Sequence, residues 1–404
     1  MIFFNRYRRL VLFISSSIFI ILALIFRKSI NPPPEPSPTS PTAQIQEIKS
    51  DDFLGVWVSY IDLEINNPKD TEKAFKKKFD QILDKSEEYS INNIFVHVRP
   101  FCDALYPSKI FPWSHLLTGI QGVDPKFDPL EYMIEESHKR NMKFHAWINP
   151  LRVKLSTCPK DLSDKNILNK LSPDKFLNST QGTFLNPAYE EVQNLIINGI
   201  KEIITNYKVD GIHFDDYFYP EVKYLTSQDC AYEENSNNTS DINTWRKNAI
   251  TNLIKKTYGE IKSINPEIKF GISPPGNPKK CDIAGIDVST LCGEKDYYLD
   301  YICPQIYWSL EFKEMPFEKT ANTWKAILGK SPVDLYGGIA LYKIGTDLDN
   351  GTWKSDQNIL SKEITILENL GYKGASLYSW KQLCPNSPEI LSLKEKLKSS
   401  KFGF

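Results

Sequence analysis

The sequence predicts a closed barrel of eight parallel strands, each followed by helical chain: the (β/α)8, or TIM, barrel. Three observations point to it. From residue 53 onward short apolar runs alternate with longer amphipathic stretches; there are eight such runs; and the first, GVWVSYIDLE, lacks the glycine-rich loop that an open nucleotide-binding sheet would place there. Alternating strands and helices require parallel strands, because each helix carries the chain back to the start of the next strand.

Each run has a strand's length and is rich in β-branched or aromatic residues. In order they are FLGVWVSY (53–60), NIFVHVRP (93–100), KFHAWINP (143–150), VDGIHFDD (209–216), IKFGISPP (268–275), YICPQIYW (301–308), VDLYGGIA (333–340) and GASLYSW (374–380). Residues 72–90, 128–141, 188–207, 244–264, 317–329, 358–370 and 387–398 carry helical periodicity.

Three parts are expected. Arg6, Arg8 and Arg9 precede an apolar run over 10–26, followed by Arg27 and Lys28. This predicts a signal anchor over 1–30, with the barrel exported and held at the membrane on its periplasmic or extracellular side. NPPPEPSPTSPT falls within a Pro-rich linker over 31–50. The barrel domain takes 51–400, and a monomer is expected. Basic and acidic residues balance at 49 and 50, which argues against nucleic-acid binding. The seven cysteines form no CxxC pair, so zinc-site spacing is absent and no metal or cofactor is expected. Export permits disulfides, with Cys158–Cys230 and Cys281–Cys292 as candidate pairs and Cys303 as a buried thiol.

Side chains alternate along a strand, which splits each run into a helix-facing and an axis-facing set. Ile94, Val96, Val98, Phe144, Ala146, Ile148, Ile212, Phe214, Ile302, Ile306 and Leu377 fall outward. His97, Arg99, His145, Trp147, Asn149, Gly211, His213, Asp215, Gln305, Tyr307, Tyr378 and Trp380 fall inward. Asp215 then reaches the axis at the C-terminal rim, where barrel chemistry resides. Asp216 lies where the strand ends, so alternation does not orient it. The loops over 151–187 and 220–243 are long, and the loop after the second run brings Asp103, Tyr106 and Trp113 to the same rim.

A carboxylate pair with polar and aromatic neighbours suits glycoside hydrolysis, which needs a proton donor and a carboxylate beside an oxocarbenium-like centre. Asp215 is the first candidate, then Asp216 and Asp103. Arg99, His97 and His145 would set carboxyl charge, Asn149, Gln305 and Tyr307 would bind hydroxyls, and Trp113, Trp147 and Trp380 offer faces for sugar rings. Two alternatives stand beside this: a metal-dependent hydrolase built on His97, His145, His213 and Asp215, and a sugar-binding barrel without catalysis.

The stretches HVRPFCDALYPS, PWSHLLTGIQG, DPLEYMIEESHKRNMKFHAWINPLRV, FLNPAYEEV, VDGIHFDDYFYP, FGISPPG and YICPQIYW resemble the bacterial glycosyl hydrolase-like family 10 proteins from about Phe53 to Trp380. The resemblance implies a (β/α)8 barrel, an envelope enzyme and a polysaccharide substrate, in some members the glycan strands of peptidoglycan. It carries over His97, Arg99, Asp103, His145, Asn149, Arg152, Asn186, His213, Asp215, Asp216, Tyr217, Gln305, Tyr307 and Trp380 as motif positions. One departure is Pro275 in SPPGNPKKCD, where an aromatic residue is expected, and the aromatic–Arg segment associated with the family is missing there. VDGIHFDDY also faintly resembles the fourth-strand signature of chitinase-type barrels, in which the substrate's N-acetyl group is the nucleophile; Tyr217 stands where those enzymes carry their acidic glutamate.

Overall fold

A computed structural model of the chain describes residues 53–65, 69–235, 241–385 and 387–403. The anchor and linker expected over 1–50 lie outside these residues. Among the described residues no helix is long and apolar enough to cross a membrane.

Eight parallel strands close into a barrel. In chain order they are β1 (Phe53–Val58), β2 (Asn93–Arg99), β3 (Lys143–Ile148), β7 (Gly211–Phe214), β8 (Lys269–Ile272), β9 (Tyr301–Ile302), β10 (Asp334–Ala340) and β11 (Gly374–Tyr378), with β11 pairing back onto β1. The loop after β3 holds a small antiparallel sheet of β4 (Arg152–Leu155), β5 (Phe176–Ser179) and β6 (Gly182–Leu185), which hydrophobic alternation did not reveal.

Helices Thr71–Glu87, Pro129–Lys139, Glu190–Asn206, Ile242–Ile264, Phe317–Leu328, Ile359–Leu370 and Pro388–Leu397 fall within a few residues of the periodic stretches. Their starts have local causes. Asp128 accepts from the N–H groups of Leu130 and Glu131 while Pro129 opens the first turn, and Asp241 caps the longest helix in the same way. Between β8 and β9 only the short helices Pro278–Ile283 and Val288–Leu291 form, matching the missing amphipathic stretch there.

The alternation rule holds along most of the barrel. Ile94, Val96, Val98, Phe144, Ala146, Ile148, Ile212, Phe214, Ile302, Ile306 and Leu377 all pack outward into the layer shared with the helices. Phe53, Trp57, Phe95, Trp147, Tyr301, Cys303 and Tyr336 fill the interior. Phe53 and Tyr336 stack at 3.9 Å, and Phe95 lies 4.3 Å from the His213 ring. The barrel is therefore a packed core, and only its upper end is available for chemistry.

Glycines make room for these rings. Gly211 sits level with His145, and a methyl group there would lie 2.2 Å from His145 Nδ1. We expect Gly211→Ala to lower stability by about 1–3 kcal/mol through overpacking. Denaturant midpoints check this, and the loss should shrink in a chain that also carries His145→Ala.

Candidate active site

β7 ends at Phe214, and the next residue, Asp215, turns to the axis above the filled interior. It is only 3% exposed. Trp147 Nε1–H donates to Oδ2 at 3.0 Å, the Asn149 amide lies 3.2 Å from both carboxyl oxygens, and the Tyr217 backbone N–H donates to Oδ1 at 3.1 Å. Trp147 comes from the adjacent β3 and Asn149 follows it directly, so the pairing of two barrel strands sets this geometry. The buried carboxylate thus has its hydrogen bonds provided.

Burial, and then the neighbouring Asp216 carboxylate, push Asp215 up to about 7; Arg152 and the N–H donors of Trp147 and Tyr217 pull the other way. Asp216 is half-buried and also raised by burial, against the pull of Gln305 and Arg152. Because Asp216 acts on Asp215, the two carboxyls titrate as a pair that keeps one proton up to near-neutral pH.

Arg152 opens β4, where the small sheet anchors it. Its N–H donates to Asn149 Oδ1 at 2.8 Å, and its Nε donates to the Pro100 carbonyl at 3.0 Å. The guanidinium lies 4.7 Å from the Tyr217 ring, 4.8 Å from Phe101 and 5.5 Å from Tyr60. A second group of rings comes from the ends of later strands: Tyr307 stacks on Tyr378 at 5.9 Å, and Tyr342 meets both edge-on. Tyr217 and Tyr342 are 46% and 39% exposed, enough to present faces to a ligand. Gln305 bridges Pro275, beyond the end of β8, and Gly338 of β10, its amide donating to Ser273 O and Oγ.

Asp215, Asp216, Trp147, Asn149, Arg152, Tyr217, Gln305 and Tyr307 therefore gather at one rim. His97, paired with Trp147 in the strand register, stacks on its ring at 4.0 Å with neither ring nitrogen hydrogen-bonded.

Other expected site residues are placed elsewhere. Arg99 does not face the axis: the β2–β3 register shifts between His97 and Arg99, and the guanidinium turns outward over Phe111 and against Gly199 of helix Glu190–Asn206. A one-residue irregularity reverses the side-chain phase. His145 sits low in the barrel, its Nε2 3.0 Å from Asn93 Oδ1, and burial lowers it to about 4. His213 is a satisfied core histidine. Trp57 Nε1–H donates to its Nε2, leaving Nδ1–H to donate to the Tyr301 hydroxyl. Asp103 is fully buried and holds loops, accepting from Phe101 N–H and from Gln121, whose own amide oxygen takes Ser163 N–H and Asn166. Asn186 joins the two long loops through Asp229 and Tyr219. Trp113 packs within the loop after β2, and Trp380 points its indole to the Ile82 carbonyl of helix Thr71–Glu87, because alternation stops at Tyr378.

The metal alternative loses its ligand set, since His145 and His213 are engaged at lower levels of the barrel; among the described residues no group of His, Cys, Asp and Glu converges to hold an ion. All seven cysteines are free thiols, so neither expected disulfide forms, while Cys303 is buried as expected. Tyr60 and Tyr342 were missed. Tyr60 is the last residue of run one and Tyr342 lies two residues beyond run seven, where the rim rule applied to every strand would have found them.

The family described as Glycosyl hydrolase-like 10 matches residues 52–355. The chain belongs to this family. Glycosyl hydrolase YngK of Bacillus subtilis is 34% identical over 87% of the chain and 72% of its own length. Glycosyl hydrolase DigH of Escherichia coli K12 is 34% identical over 81% of the chain and 83% of its own length. This member of the glycosyl hydrolase-like 10 family is thus a glycosyl hydrolase. Solved structures agree on the barrel: the PgaB (BpsB) glycoside hydrolase domain from Bordetella bronchiseptica superposes with a TM-score of 0.58 at 12% identity, over 86% of the chain and 98% of the domain. The catalytic domain of a Paenibacillus polymyxa beta-amylase also gives 0.58, at 13% identity, over 87% of the chain and 99% of the domain.

The raised Asp215 has a stability consequence. Between its ordinary value of 3.8 and about 7 the folded chain holds a proton that the unfolded chain releases, so its contribution to stability is complete below that range and lost as pH rises through about 7. Asp215→Asn should flatten this decline. Melting temperatures of both proteins across pH 4–8, taken as about the span between those two values, check it.

Proposed function

We propose that the chain hydrolyses a bacterial envelope polysaccharide, the glycan strands of peptidoglycan, with Asp215 and Asp216 as the reacting pair. The observation that carries this is a buried aspartate held by Trp147, Asn149 and the Tyr217 N–H at the barrel rim, beside a second, half-buried aspartate. The basic-flanked apolar segment over 10–26 supports an envelope location, and the family resemblance supports the glycan.

The roles follow from the surroundings. Both oxygens of Asp215 already accept N–H donors, so its charge is oriented and its lone pairs are engaged. That suits a carboxylate that stabilises developing positive charge better than one that attacks carbon. While the pair holds one proton, the reactive form is the one with that proton on the less enclosed Asp216 and Asp215 ionised, so that Asp216 gives it to the leaving oxygen. The nucleophile is then the N-acetyl group of the substrate's own amino sugar, positioned against Asp215. The Tyr217, Tyr307 and Tyr342 rings take sugar faces on either side of the cut bond.

Asp215→Asn and Asp216→Asn should each reduce cleavage of purified glycan strands by about 10²–10⁴-fold with folding intact. Wild-type activity in either variant rejects that role. Activity should fall as pH rises through about 7, where the pair loses its last proton. Trp147→Phe removes a donor that favours the ionised form, so its descending limb should move to higher pH. Strands stripped of N-acetyl groups should bind and resist cleavage; equal turnover of both forms would sink the N-acetyl mechanism.

A further inference from the structure

A second array of reactive groups lies at the edge of the same rim. Cys158 follows the small sheet's first strand, held in a tight turn by the hydrogen bond from Leu155 N–H to its carbonyl. Its Sγ lies 3.2 Å from His115 Nε2, and His115 Nδ1 lies 3.5 Å from Asp103 Oδ2. A thiol in contact with an imidazole is the arrangement by which a base takes a nucleophile's proton; the Asp103 carboxylate faces the far side of the ring, where Nδ1 makes no hydrogen bond. Asp103 is fully buried and held by Phe101 N–H and Gln121, a fixed carboxyl group beside the imidazole.

The setting distinguishes this thiol from the other six. Cys102, Cys281, Cys292 and Cys303 are buried, whereas Cys158 is half-exposed. Cys230 and Cys384 reach solvent, but the contact of Cys230 is to the Gln228 carbonyl, and among the described residues neither meets a histidine. Burial together with Asp103 and Glu64 raises the Cys158 thiol above its ordinary value. In the reaction the thiol proton passes to His115 as sulfur attacks. The thiol is also within electrostatic reach of Tyr60 and Arg152, which flank the aspartate pair.

We propose that Cys158 is a modification site, a thiol activated by His115 that reacts with small disulfides, and that the adduct obstructs the glycan cleft. In the reaction the Cys158 sulfur bonds one sulfur of the disulfide and the original S–S bond breaks. The departing thiolate takes the proton from His115. One disulfide is exchanged for another, so no further oxidant enters. The obstruction rests on the glycosidase reading; the thiol's reactivity does not.

The probe is oxidised glutathione, added to the purified full-length chain, with adducts located by peptide mass mapping over time. Cys158 should react roughly tenfold or more faster than Cys230 and Cys384 in the same molecule. His115→Gln should bring it down to their rate. Equal rates in the wild-type chain, a comparison needing no variant, overturn the proposal, as does an unchanged rate in His115→Gln. With the adduct formed, glycan cleavage should drop strongly, recover with reductant and be insensitive to the reagent in Cys158→Ser. Full cleavage by the fully modified chain overturns the obstruction. If the untreated chain cleaves no glycan, the glycosidase reading falls, and the labelling ratio still decides the fate of the thiol.

Discussion

The hydrogen bond from Trp147 to Asp215 joins the two halves of this molecule. Below it the barrel is a column of rings in contact. Above it is a carboxyl group removed from water, whose direction and charge decide what the rim can do. Trp147 belongs to both: its ring packs on His97 and fills the interior, while its N–H orients the acid. A buried carboxylate is costly to leave unsatisfied, so this contact and those of Asn149 and Tyr217 are what make an aspartate tolerable at the end of so apolar a strand.

The long loops do supporting work of a different kind. The segment after β3 folds into its own small sheet, and that sheet presents Arg152 over three aromatic rings. Asp103 and Gln121 tie this segment to the loop after β2, and Asn186 ties it to the loop that carries Asp229. Residues that resemble site positions by motif are thus divided between groups gathered at the rim and the braces that hold them. A motif match alone does not distinguish the two, because both must be in place for the same geometry to form.

The barrel was legible because strand and helix periods differ and because alternation separates the two faces of a strand. Asp215, Asn149, Gln305 and Tyr307 were found on that basis. Arg99 was misplaced by a single register shift, which has no trace in apolar patterning. His145 and His213 were correctly put inside, but alternation gives the face and not the height. Gly211 is the clue that was available: a residue with no side chain opposite His145 marks a level crowded with rings. Trp380 was lost where the strand stops, since the period-two rule ends with the extended backbone. The Cys158–His115 contact joins residues 43 positions apart through two loops, and nothing local in either segment announces it.

The crowded interior also governs how the protein should fail on heating. Rings stacked from Phe53 and Tyr336 up to Trp147 leave the acid's support no soft layer that can loosen by itself. Loss of catalytic geometry and loss of the barrel are then one cooperative event, and thermal inactivation follows the melting of the whole domain rather than preceding it.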